Sequence, residues 1–151
     1  MEYRNAEKAD AQQIWQLVQN TIKNAYPKYY PRGIVEFFCE MHSIESIEAD
    51  IEKGLVRVLT VDDIIVGTGS MEDNHITRMY IASDAQSKGY GSYIMEQLEK
   101  ELARDYDSVV LEASLAASCF YENRGYKTFK HEQFFTYDSI LVYDLMEKKL
   151  K

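Results

Sequence analysis

Up to Gly54 the apolar residues of this chain recur every three or four positions; from Leu55 they begin to alternate. After a short extended start at residues 2–4, Ile14, Leu17, Val18, Thr21 and Ile22 share one helical face. That spacing predicts an amphipathic helix over 6–23, with Asn5 as its cap. Pro27 and Pro31 frame an aromatic loop, Tyr26-Pro27-Lys28-Tyr29-Tyr30, and Ile34, Phe37, Phe38 and Met41 form a second helical stripe. Ser43 is placed to cap a further turn carrying Ile44, Ile47 and Ile51, which Gly54 would end. Residues 55–61 and 64–70, rich in β-branched side chains around Asp62-Asp63, read as a hairpin, and 75–82 alternates as a third strand. Ile94, Met95, Leu98 and Leu102 mark a helix over 92–104. A strand at 108–113, a short helix at 115–123 stopped by Gly125, and two closing strands near 126–135 and 140–146 around a Tyr137-Asp138-Ser139 turn complete the chain.

The order is strand, two helices, three strands, helix, strand, helix, two strands, with no repeat, low-complexity tract or linker. Hairpins give antiparallel neighbours and helical crossovers give parallel ones. The expected fold is a single α/β (α+β) domain over 1–151 with a mixed central sheet of about seven strands and about four helices.

Composition narrows the class. The chain has 151 residues, 46% hydrophobic and 28% charged, which suits a globular domain with a real core. Its net charge of −8 argues against nucleic acid as a partner, because phosphate neutralisation needs a basic face. Cys39 and Cys119 have no metal-ligand spacing, so no metal is expected, and two reduced thiols fit a cytoplasmic protein. No signal peptide opens the chain and no apolar run approaches membrane-spanning length, so no membrane partner is expected.

Between the third strand and the next helix lies Ser87-Lys88-Gly89-Tyr90-Gly91-Ser92. Two glycines ahead of a helix N-terminus suit a backbone cradle for an anion, and equally an ordinary helix-entry turn. A P-loop is excluded because the lysine precedes the first glycine. A dinucleotide fingerprint is excluded because Ile94 stands where the third glycine is required.

Gln86-Ser87-Lys88-Gly89-Tyr90-Gly91 does match Q/R-x-x-G-x-G/A, and here the sequence resembles the GNAT superfamily of acyl-CoA-dependent N-acetyltransferases. The likeness extends through 10–15, Ile65-Val66-Gly67, Met79-Tyr80-Ile81, and Ala117-Ser118-Cys119-Phe120-Tyr121-Glu122-Asn123-Arg124-Gly125-Tyr126, which is similar to the family's late A-x-x-F-Y-x-x-x-G-F/Y motif. The resemblance implies acetyl-CoA as cosubstrate, its pyrophosphate held by backbone N–H groups from Ser87 to Ser92, with Gln86 in the motif and Lys88 as an added charge. It implies that the strand Met79-Tyr80-Ile81 splays from the strand near 109–113, and that the pantetheine arm lies in this cofactor gap. Where many relatives carry asparagine this chain has Ser114, a shorter cofactor contact.

Transfer from a thioester to an amine needs a neutral nucleophile and a protonated leaving thiolate. The resemblance puts Tyr121 at the position of the general acid. His75 shares a strand face with Thr77, Met79 and Ile81 and stands where some relatives carry a glutamate base. Glu72, Asp73 or ordered water are the alternatives. By the same resemblance the acceptor lies under the loop between the first two helices, where Tyr26, Tyr29 and Tyr30 offer cation–π contacts and Glu36 and Glu40 a negative helix face. The expected activity is acetyl transfer to a primary amine of a small-molecule, peptide or amino-acid-like acceptor. A non-catalytic acyl-CoA-binding module, an interaction domain without cofactor, and a homodimer through the two terminal strands are further readings.

Overall fold

The computed structural model describes residues 1–136 and 139–151. Strand β1 (Glu2–Asn5) is followed by three helices, α1 (Ala11–Ala25), α2 (Arg32–Met41) and α3 (Ile44–Glu52). Then come β2 (Val56–Val61), β3 (Ile64–Glu72), β4 (His75–Ile81), α4 (Tyr90–Leu102), β5 (Ser108–Ala113), α5 (Ser118–Asn123), β6 (Lys127–Thr136) and β7 (Ser139–Lys149). The strands form one seven-stranded sheet in the order β1-β2-β3-β4-β5-β7-β6. All neighbours are antiparallel except β4 and β5, whose connection runs through α4. This is the expected mixed sheet with helices on both faces. Alternation along the strands sorts the core: Val58 and Tyr80 pack with α1, α2 and α3, while Leu59, Leu111 and Met146 pack with α4 and α5.

Local chemistry explains most of the boundaries. Asp62 and Asp63 both take positive φ, 51° and 63°, the geometry of a two-residue primed turn that matches strand twist. Ser43 caps α3 as expected, its Oγ accepting from Ser46 N–H at 3.2 Å, and the turn foreseen there is a full helix. Asn5 is not the cap of α1. It ends β1 opposite Arg57, and the chain turns instead at Asp10, which accepts from Glu7 N–H at 2.7 Å and takes a two-pronged ion pair from Arg4. A carboxylate six residues beyond an arginine is a stronger anchor than one asparagine amide. The helix α4 begins two residues earlier than its apolar stripe suggests, because Gly89 adopts a left-handed φ of 85° and turns the chain directly into Tyr90. Tyr137 and Asp138, in the expected closing turn, lie outside the described residues.

No helix among the described residues is long and apolar enough to cross a membrane.

Candidate functional site

The site begins where the sheet fails to close. β4 and β5 pair only at His75 with Val110 and Ile76 with Leu111, with one further bond from Val110 N–H to Asn74 O. Beyond Ile76 the two strands diverge, and among the described residues no strand lies beside the β4 edge from Thr77 to Ile81 on that side. A strand edge with free amides and carbonyls is a template for an extended amide chain.

Two adjoining cavities flank this opening. One, of about 430 Å³, is lined by Met79, Tyr80 and Ile81, by the loop Gln86, Ser87 and Gly89, by Tyr90 to Ser92, and by Phe120 and Tyr121. The other, of about 380 Å³, is lined by α2 and its end (Phe37, Phe38, Met41, His42), by His75 to Tyr80, and by Glu112, Ser114, Phe134, Leu141 and Tyr143. Tyr26, Met79, Tyr80, Ala117 and Tyr121 border both. The two spaces therefore meet across the β4 edge, with Tyr121 at the junction.

The first cavity ends on the N-terminus of α4. Tyr93 is the first residue of the helix to bond backwards, to Gly89 O at 3.0 Å, so the amides of Tyr90, Gly91 and Ser92 are left free at its mouth. Those amides, with the helix dipole behind them, suit a phosphate-like anion. The two glycines serve different ends. Gly89 supplies the positive φ, whereas Gly91 is helical and a Cβ there would make only ordinary contact with the Phe120 ring, at 3.4 Å. Gln86 lines the cavity while its amide donates to Ile81 O at 3.2 Å, tying the loop to the end of β4; Thr21 Oγ1 donates to the same carbonyl. Lys88 is exposed and lines neither cavity.

Tyr121 is buried at 7% exposure, and its hydroxyl has no hydrogen-bond partner among the described residues. Burial, with a smaller contribution from Tyr26, pushes its phenol well above the ordinary range, so it stays protonated at every physiological pH. A general acid must carry its proton, and an unpartnered hydroxyl at a cavity junction has its donor available.

His75 lines the second cavity, exposed, in the two-residue stretch where β4 and β5 still pair. Ser114 belongs to that cavity and not to the first; its carbonyl accepts from Ala117 and Ser118 N–H and starts α5. The three loop tyrosines are not brought together on one wall. Tyr26 is buried between the cavities with its hydroxyl 3.2 Å from that of Tyr80. Tyr30 lines neither cavity; its hydroxyl takes Leu115 N–H at 2.8 Å and donates to Val142 O at 3.2 Å, bracing the loop to β7. Tyr29 is half exposed and lines neither. Glu36 lies outside both cavities and pairs with Arg32 one turn back.

Two charged residues and a histidine of the second cavity, Arg78, Glu112 and His42, lie outside the sequence reading. His42 ends α2, Arg78 is in mid-β4 and Glu112 in β5, so no local pattern joins them. Arg78 did leave one signal, a charge on the strand face shared with the apolar Ile76 and Tyr80.

Known proteins bear on this arrangement. The Acetyltransferase (GNAT) domain family profile matches residues 11–146. No curated protein sequence matches the chain. Among solved structures, a GCN5-related N-acetyltransferase from Rhodopseudomonas palustris superposes with a TM-score of 0.90 at 21% identity, over 98% of this chain and 94% of its own. The PaiA N-acetyltransferase of Thermoplasma acidophilum, solved in complex with coenzyme A, gives 0.79 at 20% identity over 98% of each chain. YncA from Salmonella typhimurium, solved with its cofactor acetyl-CoA, gives 0.70 at 18% identity, over 99% and 94%. At such identities the likeness is one of fold, and the profile match over most of the length supplies the kinship. With its open sheet, free helix N-terminus and matching motifs, this chain belongs to the GNAT acetyltransferase family.

Proposed function

We propose that the chain is a cytoplasmic acetyl-CoA-dependent N-acetyltransferase that moves the acetyl group directly to a primary amine of a small-molecule or peptide acceptor. The observation that carries this reading is the position of Tyr121, a buried phenol with an unused donor at the junction of two cavities, beside an unpaired strand edge. The residues present fit coenzyme A: free amides at the start of α4 for its pyrophosphate, and the β4 edge past Ile76 for an extended amide arm. Bound acetyl-CoA supplies an activated acyl group and a thiolate leaving group.

The chain does the rest. Met79 to Ile81 hold the arm at the opening, and the cavity under α2 receives the amine. Tyr121 donates its proton to the sulfur as the thioester breaks. His75 lines the cavity that receives the amine, four residues along the strand from Met79, and takes the amine proton through water. Tyr26 and Tyr80, bonded to each other, close the wall between the two spaces.

A calorimetric titration with acetyl-CoA tests the reading. Saturable heat near one site per chain is expected; heat equal to that of buffer overturns it. Binding followed by no thiol release from any amine would make the chain an acyl-CoA-binding module instead.

A further inference from the structure

The cavity under α2 holds one guanidinium that acetyl transfer as described leaves idle. Arg78 lies on β4 with its side chain 4% exposed, yet it lines that cavity. A guanidinium so deeply placed is costly unless its donors find partners. Nε–H donates to His42 Nδ1 at 3.1 Å, and Nη1 serves Ser70 Oγ at 3.4 Å and the Asp50 carboxylate at 3.1 Å. Nη2 has no acceptor among the described residues. It is not sealed off either: among those residues the one fully buried side-chain nitrogen or oxygen without a partner is Arg124 Nε.

His42 adds a second donor. Its Nδ1 accepts from Arg78, so the neutral ring carries its proton on Nε2, which has no acceptor in the described chain. Beside it the hydroxyls of Tyr26 and Tyr80 share one hydrogen bond, which uses one of their two protons. One corner of the cavity thus presents two unspent donors, Arg78 Nη2 and His42 Nε2. Across the opening, Glu112 lines the same cavity from β5 with the opposite sign, and His75 lines it as well.

We propose that Arg78 Nη2 and His42 Nε2 form an anchoring subsite for a carboxylate on the acceptor, making the substrate class an amine that also carries a carboxylate and an apolar body, such as an amino acid. Phe37, Phe38 and Met41 receive the apolar body, and Glu112 draws the ammonium end toward the gap. Asp50 leaves the arginine formally neutralised, so the subsite selects through the direction of its donors more than through long-range attraction. The assignment rests on the acetyl-transfer reading only in taking this cavity for the acceptor's side.

The test uses matched probes: L-phenylalanine, L-phenylalaninamide and 2-phenylethylamine, then L-leucine, L-leucinamide and 3-methylbutylamine. Each is titrated into the full chain without acetyl-CoA, and each is assayed separately for acetyl-CoA-dependent thiol release. A carboxylate probe binding about tenfold or more tighter than its amide is expected, as is loss of that preference in Arg78→Lys, which keeps the charge but not the fork. Should that variant not fold, Asp50→Asn serves instead: freed of its counter-charge, Arg78 should raise the preference for the carboxylate while binding of the amide stays unchanged. No carboxylate preference in either series, or a preference that survives in folded Arg78→Lys, overturns the subsite. Selective binding with no thiol release would sink the transfer reading and leave the subsite standing. Thiol release indifferent to the carboxylate would do the reverse.

Discussion

Arg78 donates its Nε–H to His42 Nδ1 at 3.1 Å, and both side chains are buried. Burial first, and the arginine charge second, push the imidazole down to about 3. An unfolded histidine titrates near ~6.5, so between about 3 and 6.5 the unfolded chain binds the extra proton. Stability from this group is therefore complete above pH ~6.5 and drains as pH falls, by up to about 1.4 kcal/mol per unit. From pH 7 to 5 the wild-type unfolding free energy should fall by about 2 kcal/mol more than that of His42→Gln, read from urea midpoints. Equal losses in the two proteins would show that His42 does not stay neutral in the fold.

Tyr121→Phe separates chemistry from architecture. The hydroxyl has no partner, so its removal should change unfolding free energy by less than about 0.5 kcal/mol. Acetyl-CoA affinity should barely move. Turnover should fall by about 10²-fold or more, as for loss of a general acid. Steady-state thiol release at saturating acetyl-CoA measures it, and wild-type turnover in the variant removes Tyr121 from the mechanism.

The glycines make a graded set. At Gly69 a Cβ would lie 2.7 Å from Leu98 Cδ1 and 2.9 Å from Ile94 Cγ2, so Gly69→Ala pries α4 from β3 and should cost about 1–3 kcal/mol. Gly89→Ala meets nothing within 4 Å and costs only the strain of positive φ, about 1–2 kcal/mol. Gly91→Ala makes ordinary contact with Phe120 and gains helix propensity, so it should fold as well as wild type to within about 1 kcal/mol. Thermal melts would rank them, and a Gly89→Ala protein as stable as Gly91→Ala would contradict the left-handed entry to α4.

His75→Ala addresses the proton that leaves the amine. At fixed pH kcat/KM should fall by about tenfold or more, with acetyl-CoA binding retained, because His75 lies away from the cavity that holds the α4 amides. An unchanged kcat/KM passes the role to Glu112 or to water.

Much of this was written in local pattern. Each strand follows from alternation or β-branching, the Asp62-Asp63 turn from residues that tolerate positive φ, and the family from two motifs on either side of β5. What the pattern hid was relational. Asn5 looked like a cap because the ion pair between Arg4 and Asp10 exists only once β1 and α1 have met. Tyr30 looked like a substrate aromatic, but β7, more than a hundred residues away, supplies the carbonyl its hydroxyl donates to. His42, Asp50 and Arg78 come from two helices and a strand, and only the packing of α2 and α3 against β4 makes them neighbours.

The two-residue pairing of β4 with β5 has a mechanical side. It divides the sheet into two ribbons, four strands and three, stitched at one end and unlaced at the other. An extended molecule lying along Thr77 to Ile81 would act as a guest strand, completing a ladder that the polypeptide leaves unfinished. Its departure reopens the seam. In such a molecule, rigidity belongs jointly to the protein and to whatever it holds, and amide exchange along β4 should report occupancy as directly as any assay of turnover.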